Sequence, residues 1–306
     1  MQCHPLSGAT ARAIVATGVT TDEVRRVIAR ALDEDFAHGP DVTTNATVPV
    51  DHTSLARFVS RAPGCVAGLP VALATLEMVC SPQAVRVNAI VADGTLVAPG
   101  DVVLDVVGPT RGLLTAERTA LNLLGHLSGI ATATHEWSER LAGTSARVRD
   151  TRKTLPGLRA LQKYAVRCGG GVNHRMSLGD AALVKDNHVV AAGGVAEAFA
   201  RVRAANPDIV VEVEVDTLEQ LSTVLAAGAD LVLLDNMAPE TLREAVAIAS
   251  RHRESTGRHV VLEASGGLTL DSARDVASTG VDYVSVGALT HSVRVLDIGL
   301  DLESAN

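Results

Sequence analysis

Aromatic side chains are scarce: one Trp, two Tyr and three Phe in 306 residues, 2% of the chain. So few flat rings leave little on which bases could stack. A formal net charge of −8 and a sequence pI near 5.7 withhold the extended basic face that phosphate backbones require. Nucleic acid is therefore not an expected partner. Cys3, Cys65, Cys80 and Cys168 form no CxxC pair and have no His at zinc-ligand spacing. They read as small buried hydrophobes in a reducing compartment, which makes a cytoplasmic protein the expectation. His135-Glu136 lacks the second His of a zinc-peptidase helix. No apolar run approaches the ~20 residues of a membrane span; the longest, from Cys65 to Leu76, is interrupted by Gly68 and Pro70. A basic stretch leading into an apolar core is missing from the first residues, so neither a signal peptide nor a membrane is expected. The dinucleotide fingerprint is missing as well. Gly169-Gly170-Gly171 lacks the GxGxxG spacing and follows a helix-like stretch, so it reads as a helix end and turn.

What is present is Val, Ala and Leu, within a hydrophobic fraction of 47%. Thr21 to Leu32 predicts an amphipathic helix with Val24, Val27, Ile28 and Leu32 on one face and Asp22 and Glu23 in its first turn. Strand-like segments follow at 55–60, 84–92 and 102–107, separated by Pro63-Gly64, Asp93-Gly94 and Pro99-Gly100. Thr115 to Leu141 predicts a long helix. The first 130 residues thus read as an α+β unit. Beyond them, apolar segments at 147–150, 171–173, 182–185, 209–215, 230–235, 260–265 and 282–287 alternate with helix-like stretches. That rhythm predicts a parallel α/β barrel over 131–290.

Closure is argued from Val210-Val211-Glu212-Val213-Glu214-Val215. Side chains alternate across a strand, so Glu212 and Glu214 share one face and the valines the other. In a barrel the valines lie under helices and the glutamates point inward, where cations or hydroxyls must meet them. Those cations exist: Asp150 to His188 holds Arg152, Lys153, His174, Arg175 and Lys185 in an otherwise acidic chain. A concave site for a small polyanion follows. Arg152 and Arg175 suit carboxylates or pyrophosphate as two-pronged donors, and Lys153 as a point charge. Lys185 closes the apolar run 181–184, which predicts partial burial; it serves either as an anion ligand or as an imine-forming nucleophile. Glu214 and Asp235 end neighbouring strands, fit to bind sugar hydroxyls or Mg²⁺, or to stabilise a developing cation. Ser265-Gly266-Gly267, before a helix starting at Leu270, and Gly287-Ala288 suit phosphate capture by backbone amides.

Several of these stretches resemble one family. DTRKTLPGLRALQKYAVRCGGGVNHRMSLGDAALVKDNH, EVEVDTLEQ, LLDNM, EASGGL and SVGALTHSV, with ALDEDFAHGPDVTTNATVP and ERTALNLLGHLSGIAT nearer the N-terminus, look like quinolinate phosphoribosyltransferases. The likeness covers nearly the whole chain and is least over the first twenty residues. It implies a type II phosphoribosyltransferase: an N-terminal α/β sandwich domain (1–130), a seven-stranded parallel barrel (131–290) and a tail (291–306) packing back on the first domain. It implies a dimer that converts quinolinate and phosphoribosyl pyrophosphate, with Mg²⁺, into nicotinate mononucleotide, pyrophosphate and CO₂. By motif, Arg152, His174, Arg175 and Lys185 would hold the quinolinate carboxylates, with Arg118 reaching in from the partner subunit. Thr151 and Lys153 would contact substrate, Lys153 at the pyrophosphate. Glu214 and Asp235 would bind ribose hydroxyls and Mg²⁺, and Ser265, Gly266, Gly267, Gly287 and His291 the 5′-phosphate. Lys153, Lys185, Glu214 and Asp235 would be the catalytic set. Rival readings are a related transferase acting on another substrate, a lyase using Lys185 as a Schiff-base lysine, and a non-catalytic barrel that senses a pyridine nucleotide.

Overall fold

The computed structural model describes residues 3–304. The described chain divides into two compact units: 3–135 with 154–170 and 290–304, and 136–153 with 171–289.

The first unit is built on a four-stranded antiparallel sheet. Its strands are β1 (Thr53–Ser60), β3 (Arg86–Ile90), β5 (Val102–Pro109) and β12 (Ile298–Ser304), in the order β12-β1-β5-β3. The short pair β2 (Gly64–Cys65) and β4 (Leu96–Val97) lies outside it. Helices α1 (Gly8–Ala16), α2 (Thr21–Asp35), α3 (Val42–Thr47), α4 (Leu69–Cys80) and α6 (Arg159–Cys168) complete the unit, with α5 (Thr110–Leu141). Helix α2 starts where the sequence predicts, because Thr20 and Glu23 form a reciprocal capping box. Its Val24, Ile28 and Leu32 are fully buried, while Val27 lies at the margin. Helix α5 starts earlier than expected: β5 ends at Pro109, and the Thr110 hydroxyl is tied to His52 Nδ1 and Ser54 Oγ, each at 2.7 Å. Gly68 and Pro70, which break the apolar run in sequence, begin a helix rather than end one. Gly68 takes φ +102° as the cap of α4, and the Asp93 carboxylate accepts the N–H groups of Gly68 and Leu69 at 2.8 and 3.1 Å. The triple glycine behaves as read, with Gly169 capping α6.

The second unit holds a six-stranded parallel sheet: β6 (Arg147–Arg149), β7 (Ala182–Val184), β8 (Val211–Val215), β9 (Leu231–Asp235), β10 (Val261–Ser265) and β11 (Tyr283–Ser285). Their order is β6-β11-β10-β9-β8-β7. The expected strand at 171–173 shrinks to one parallel bridge from Val172 to Arg149. Around the sheet run α7 (Asp186–Ala192), α8 (Val195–Ala205), α9 (Leu218–Ala226), α10 (Pro239–Thr256) and α11 (Leu270–Ala277), followed by the short α12 (Ala288–His291).

The sheet is rolled up. Four strand steps separate β6 from β8, about 19 Å in a flat sheet. Yet Arg149 Nη1 on β6 lies 3.6 Å from Glu212 Oε1 on β8. His174, just past the Val172 bridge, reaches Glu212 Oε2 at 2.8 Å. Side chains can meet this way only across the inside of a barrel. The valines Val211, Val213 and Val215 are buried on the opposite face, as the alternation predicts. Among the described residues no ladder joins Val172 to β7, so the barrel stays open at that seam.

Candidate active site

One cavity of about 520 Å³ opens at the carboxyl ends of these strands. Thr151, Arg152 and Lys153 follow β6; His174 and Arg175 follow the Val172 bridge; Lys185 follows β7. Glu214 and Asp235 come from the ends of β8 and β9, and Ser265, Gly266 and Gly267 from the end of β10 and the loop after it. All of them line the cavity. Arg118, Gly287 and His291 do not. Arg118 is largely exposed on α5 beside Glu117, at 3.6 Å. His291 is exposed and holds Ser292 Oγ at 2.6 Å through Nδ1. Gly287 sits directly after β11, outside the lining.

The arginines are poised for an anion. Arg152 Nε and Arg175 Nε are buried donors without a hydrogen-bond partner, and such groups are costly to leave unmet. Arg175 is oriented by donating Nη1–H to the Ala181 carbonyl at 2.9 Å. Burial, then the neighbouring Arg152 charge, lower its pKa. Lys185 is only partly buried, as the apolar run before it predicts. Its side chain is half exposed and pairs with Glu214. The apolar run ends at Val184, and Lys185 caps α7 at the rim.

Gly266 shows why glycine is required in the phosphate-like loop. It adopts φ +93°, and a Cβ there would sit 2.3 Å from Asn236 Oδ1 and 2.8 Å from Asn236 N. Asn236, itself at φ +52°, donates its backbone N–H to the Ser265 carbonyl at 2.9 Å. The loops after β9 and β10 therefore brace each other.

Beneath the rim lies a buried polar layer that the sequence reading named only in part. Glu263 of β10, fully buried, pairs with Arg149 and accepts from Ser285 Oγ–H. The Arg149 guanidinium also stacks over the Tyr283 ring, 4.8 Å from its centroid. His174 is fixed by its backbone N–H, which donates to Asp150 Oδ1 at 2.8 Å. Burial raises Glu212; burial and then the Glu212 charge push Glu263 up to about 7. Burial opposes the Arg149 charge, but Glu263 and Glu212 overcome it and hold its pKa above the usual value. A signal for Glu263 existed in Val260-Val261-Leu262-Glu263-Ala264-Ser265, a single charge in an apolar strand on the same face as Ser265. Arg149 carried a different signal, since in Arg147-Val148-Arg149 two charges at period two share a strand face.

Two places could hold a metal. The ligand atoms of His174, Glu212 and Glu263 lie within 4.8 Å of one another, but Arg149 already lies against both carboxylates, and its charge repels a cation. At the rim, Glu214 and Asp235 offer carboxylates into the cavity. Asp235 is raised by burial and then by Asp216, a surplus of negative charge that a divalent cation relieves.

The family assignment follows from comparison with known proteins. Residues 130–301 match the model of the quinolinate phosphoribosyl transferase C-terminal domain, and residues 41–128 that of the N-terminal domain. The chain belongs to the quinolinate phosphoribosyltransferase family. It is 54% identical over 281 residues to the nicotinate-nucleotide pyrophosphorylase [carboxylating] of Mycobacterium leprae, covering 92% of this chain and 98% of that protein. It is 38% identical to the mitochondrial quinolinate phosphoribosyltransferase [decarboxylating] 2 of Nicotiana glauca, covering 93% and 83%. The solved nicotinate-nucleotide pyrophosphorylase of Francisella tularensis superposes with a TM-score of 0.85 at 37% identity, covering 93% of this chain and 98% of that one. In the described residues no helix is long and apolar enough to cross a membrane.

Proposed function

We propose that this chain transfers the phosphoribosyl group of phosphoribosyl pyrophosphate to quinolinate, losing CO₂ and pyrophosphate and forming nicotinate mononucleotide for NAD synthesis. The carrying observation is one cavity in which cations, carboxylates and a glycine loop meet. Arg152 and Arg175, each with a buried unpartnered Nε, suit the two carboxylates of the pyridine acid, with His174 and Lys185 beside them. Lys153 and Thr151 face the same space and suit the pyrophosphate end. The Ser265-Gly266-Gly267 loop precedes α11 and suits the 5′-phosphate.

Departure of pyrophosphate leaves positive charge on the ribosyl carbon. Glu214 and Asp235 are signed to stabilise it while the pyridine nitrogen attacks. The same two carboxylates would hold Mg²⁺, which supplies charge to the leaving pyrophosphate when bound. Binding and orientation by fixed charges account for the protein's share. Lys185 is paired with Glu214 and half exposed, so nothing in its setting favours a Schiff-base role. Arg118, exposed and outside its own cavity lining, is assigned to a neighbouring subunit's site, which makes the working form a dimer; the free cysteines Cys3, Cys65, Cys80 and Cys168 suit a reducing, cytoplasmic setting.

Parallel assays with quinolinate, nicotinate and nicotinamide, following pyrophosphate and CO₂, test the reading. Quinolinate alone is expected to turn over efficiently, with equal amounts of both products. Efficient use of nicotinate without CO₂ overturns the substrate assignment.

A further inference from the structure

The buried layer under the cavity contains one more carboxylate than its guanidinium can neutralise, and its hydrogen bonds locate the proton that makes up the difference. His174 Nδ1 accepts the backbone N–H of Arg175 at 2.8 Å. The ring hydrogen therefore sits on Nε2, which faces Glu212 Oε2 at 2.8 Å and donates to it. The imidazole is neutral and Glu212 is the anion it serves. Arg149 is the one guanidinium in contact with Glu212 or Glu263 among the described residues. Two ionised carboxylates beside a single buried cation would leave an uncompensated charge. Glu212 Oε1 meanwhile is a buried acceptor without a hydrogen bond, Arg149 Nη1 standing 3.6 Å away. A proton on Glu263 removes the surplus charge and offers that acceptor a donor, and Glu263 lines the cavity floor.

Resting on the phosphoribosyltransferase reading above, we propose that Glu263 stores this proton as a neutral carboxylic acid and delivers it to C2 of the pyridine ring after CO₂ leaves. In the N-ribosylated diacid the bond from C2 to its carboxylate carbon breaks. CO₂ departs, and the electron pair stays on C2 beside the positive ring nitrogen. C2 then takes H⁺ from the Glu263 carboxyl. The resulting Glu263 carboxylate pairs with Arg149 and accepts from Ser285 Oγ. Solvent returns the proton after product leaves, so one proton is consumed per CO₂ and no redox partner is needed.

The groups facing Glu263 are Arg149 from β6, Glu212 from β8, Ser285 and Tyr283 from β11, and His174 at 3.6 Å. From β9 its neighbour is the apolar Leu233. Burial, then Glu212, set its ionisation near pH 7. Turnover limited by this proton is lost as pH rises through that value.

The test pairs the intact chain with Glu263→Gln. The variant is expected to bind quinolinate within about threefold of wild type by calorimetry. Its kcat should fall at least ~100-fold, the loss expected for a missing general acid. The alkaline limb of the wild-type kcat profile, with its midpoint near 7, should vanish with it. A variant within about tenfold of wild type that keeps that limb overturns the proposal. If the variant does not fold, isotope-edited infrared spectroscopy of wild type decides. A buried protonated-carboxyl band at about pH 6 that bleaches on raising pH supports the stored proton, and its absence rules it out. A wild-type chain inert with quinolinate removes the functional reading instead, whatever the band shows.

Discussion

Arg175 ties the barrel wall to the cavity: one guanidinium arm holds the Ala181 carbonyl while Nε stays buried and unpartnered. Replacing it with Ala should cost at least ~3 kcal/mol of transition-state stabilisation, read as a fall in kcat/KM of about 100-fold or more. Near-normal turnover would remove its carboxylate role. Glu263 gives a second expectation, about stability. Its ordinary value is 4.5 and the folded state raises it to about 7, so the native protein holds this proton more tightly than the unfolded chain. The contribution is complete below about pH 4.5 and is lost as pH climbs through about 7. Urea midpoints should therefore fall between about pH 5 and pH 8 in wild type, and fall less in Glu263→Gln. An unchanged slope in the variant would show that other groups set the trend. At this scale the site was legible, because Arg152, Lys153, Arg175 and Lys185 stand with His174 in a short stretch of an acidic chain. Glu263 is hard to read because it is one charge in a short apolar segment, and Arg149 because β6 spans only three residues, too few for Arg147 and Arg149 to mark a strand. Lys185 was legible too, as the polar residue that closes an apolar strand at the rim.

Among the elements, β8 was readable because period-two alternation marks its face, and β9 and β10 because a largely apolar run closing on a polar residue marks an end. Helix α4 was not, since Leu69, Val71, Ala72, Ala74, Leu76 and Met78 are buried nearly all round, and a helix without a polar face has no helical period to detect. Strand β12 was hidden for another reason: its pairing with β1, Ile298 against Ser60, joins distant parts of the chain that no local pattern connects. The loop after β10 was readable as glycine but not as a braced pair, because Asn236 belongs to a different β–α step. Gly266→Ala combines a φ of +93° with a Cβ against Asn236 backbone. It should cost about 2 kcal/mol in stability and raise KM for phosphoribosyl pyrophosphate more than KM for quinolinate. An equal rise in both would mean the loop does not serve the phosphate.

For the whole molecule, an α+β part and a parallel part were legible from the change of rhythm after residue 130; the place of 154–170 in the first unit and the seam at Val172 were not. Nor can any single chain display a site shared between copies. If Arg118 completes a neighbour's site, inactive Arg118→Ala and Lys185→Ala subunits should regain activity on exchange. Random pairing gives about a quarter of the wild-type rate, since half the dimers are hybrids with one good site of two. No recovery, with exchange verified by mass, would count against the shared site.

The unlaced edge between Val172 and β7 has its own meaning for how the acid is gripped. On one border stand His174 and Arg175, on the other Lys185. Where neighbouring strands elsewhere are stitched by amide hydrogen bonds, here the stitch is left to whatever carries negative charge into the mouth. A dianion held between Arg175 and Lys185 as proposed would span that gap, so that taking up the pyridine acid and stiffening the wall would be a single event.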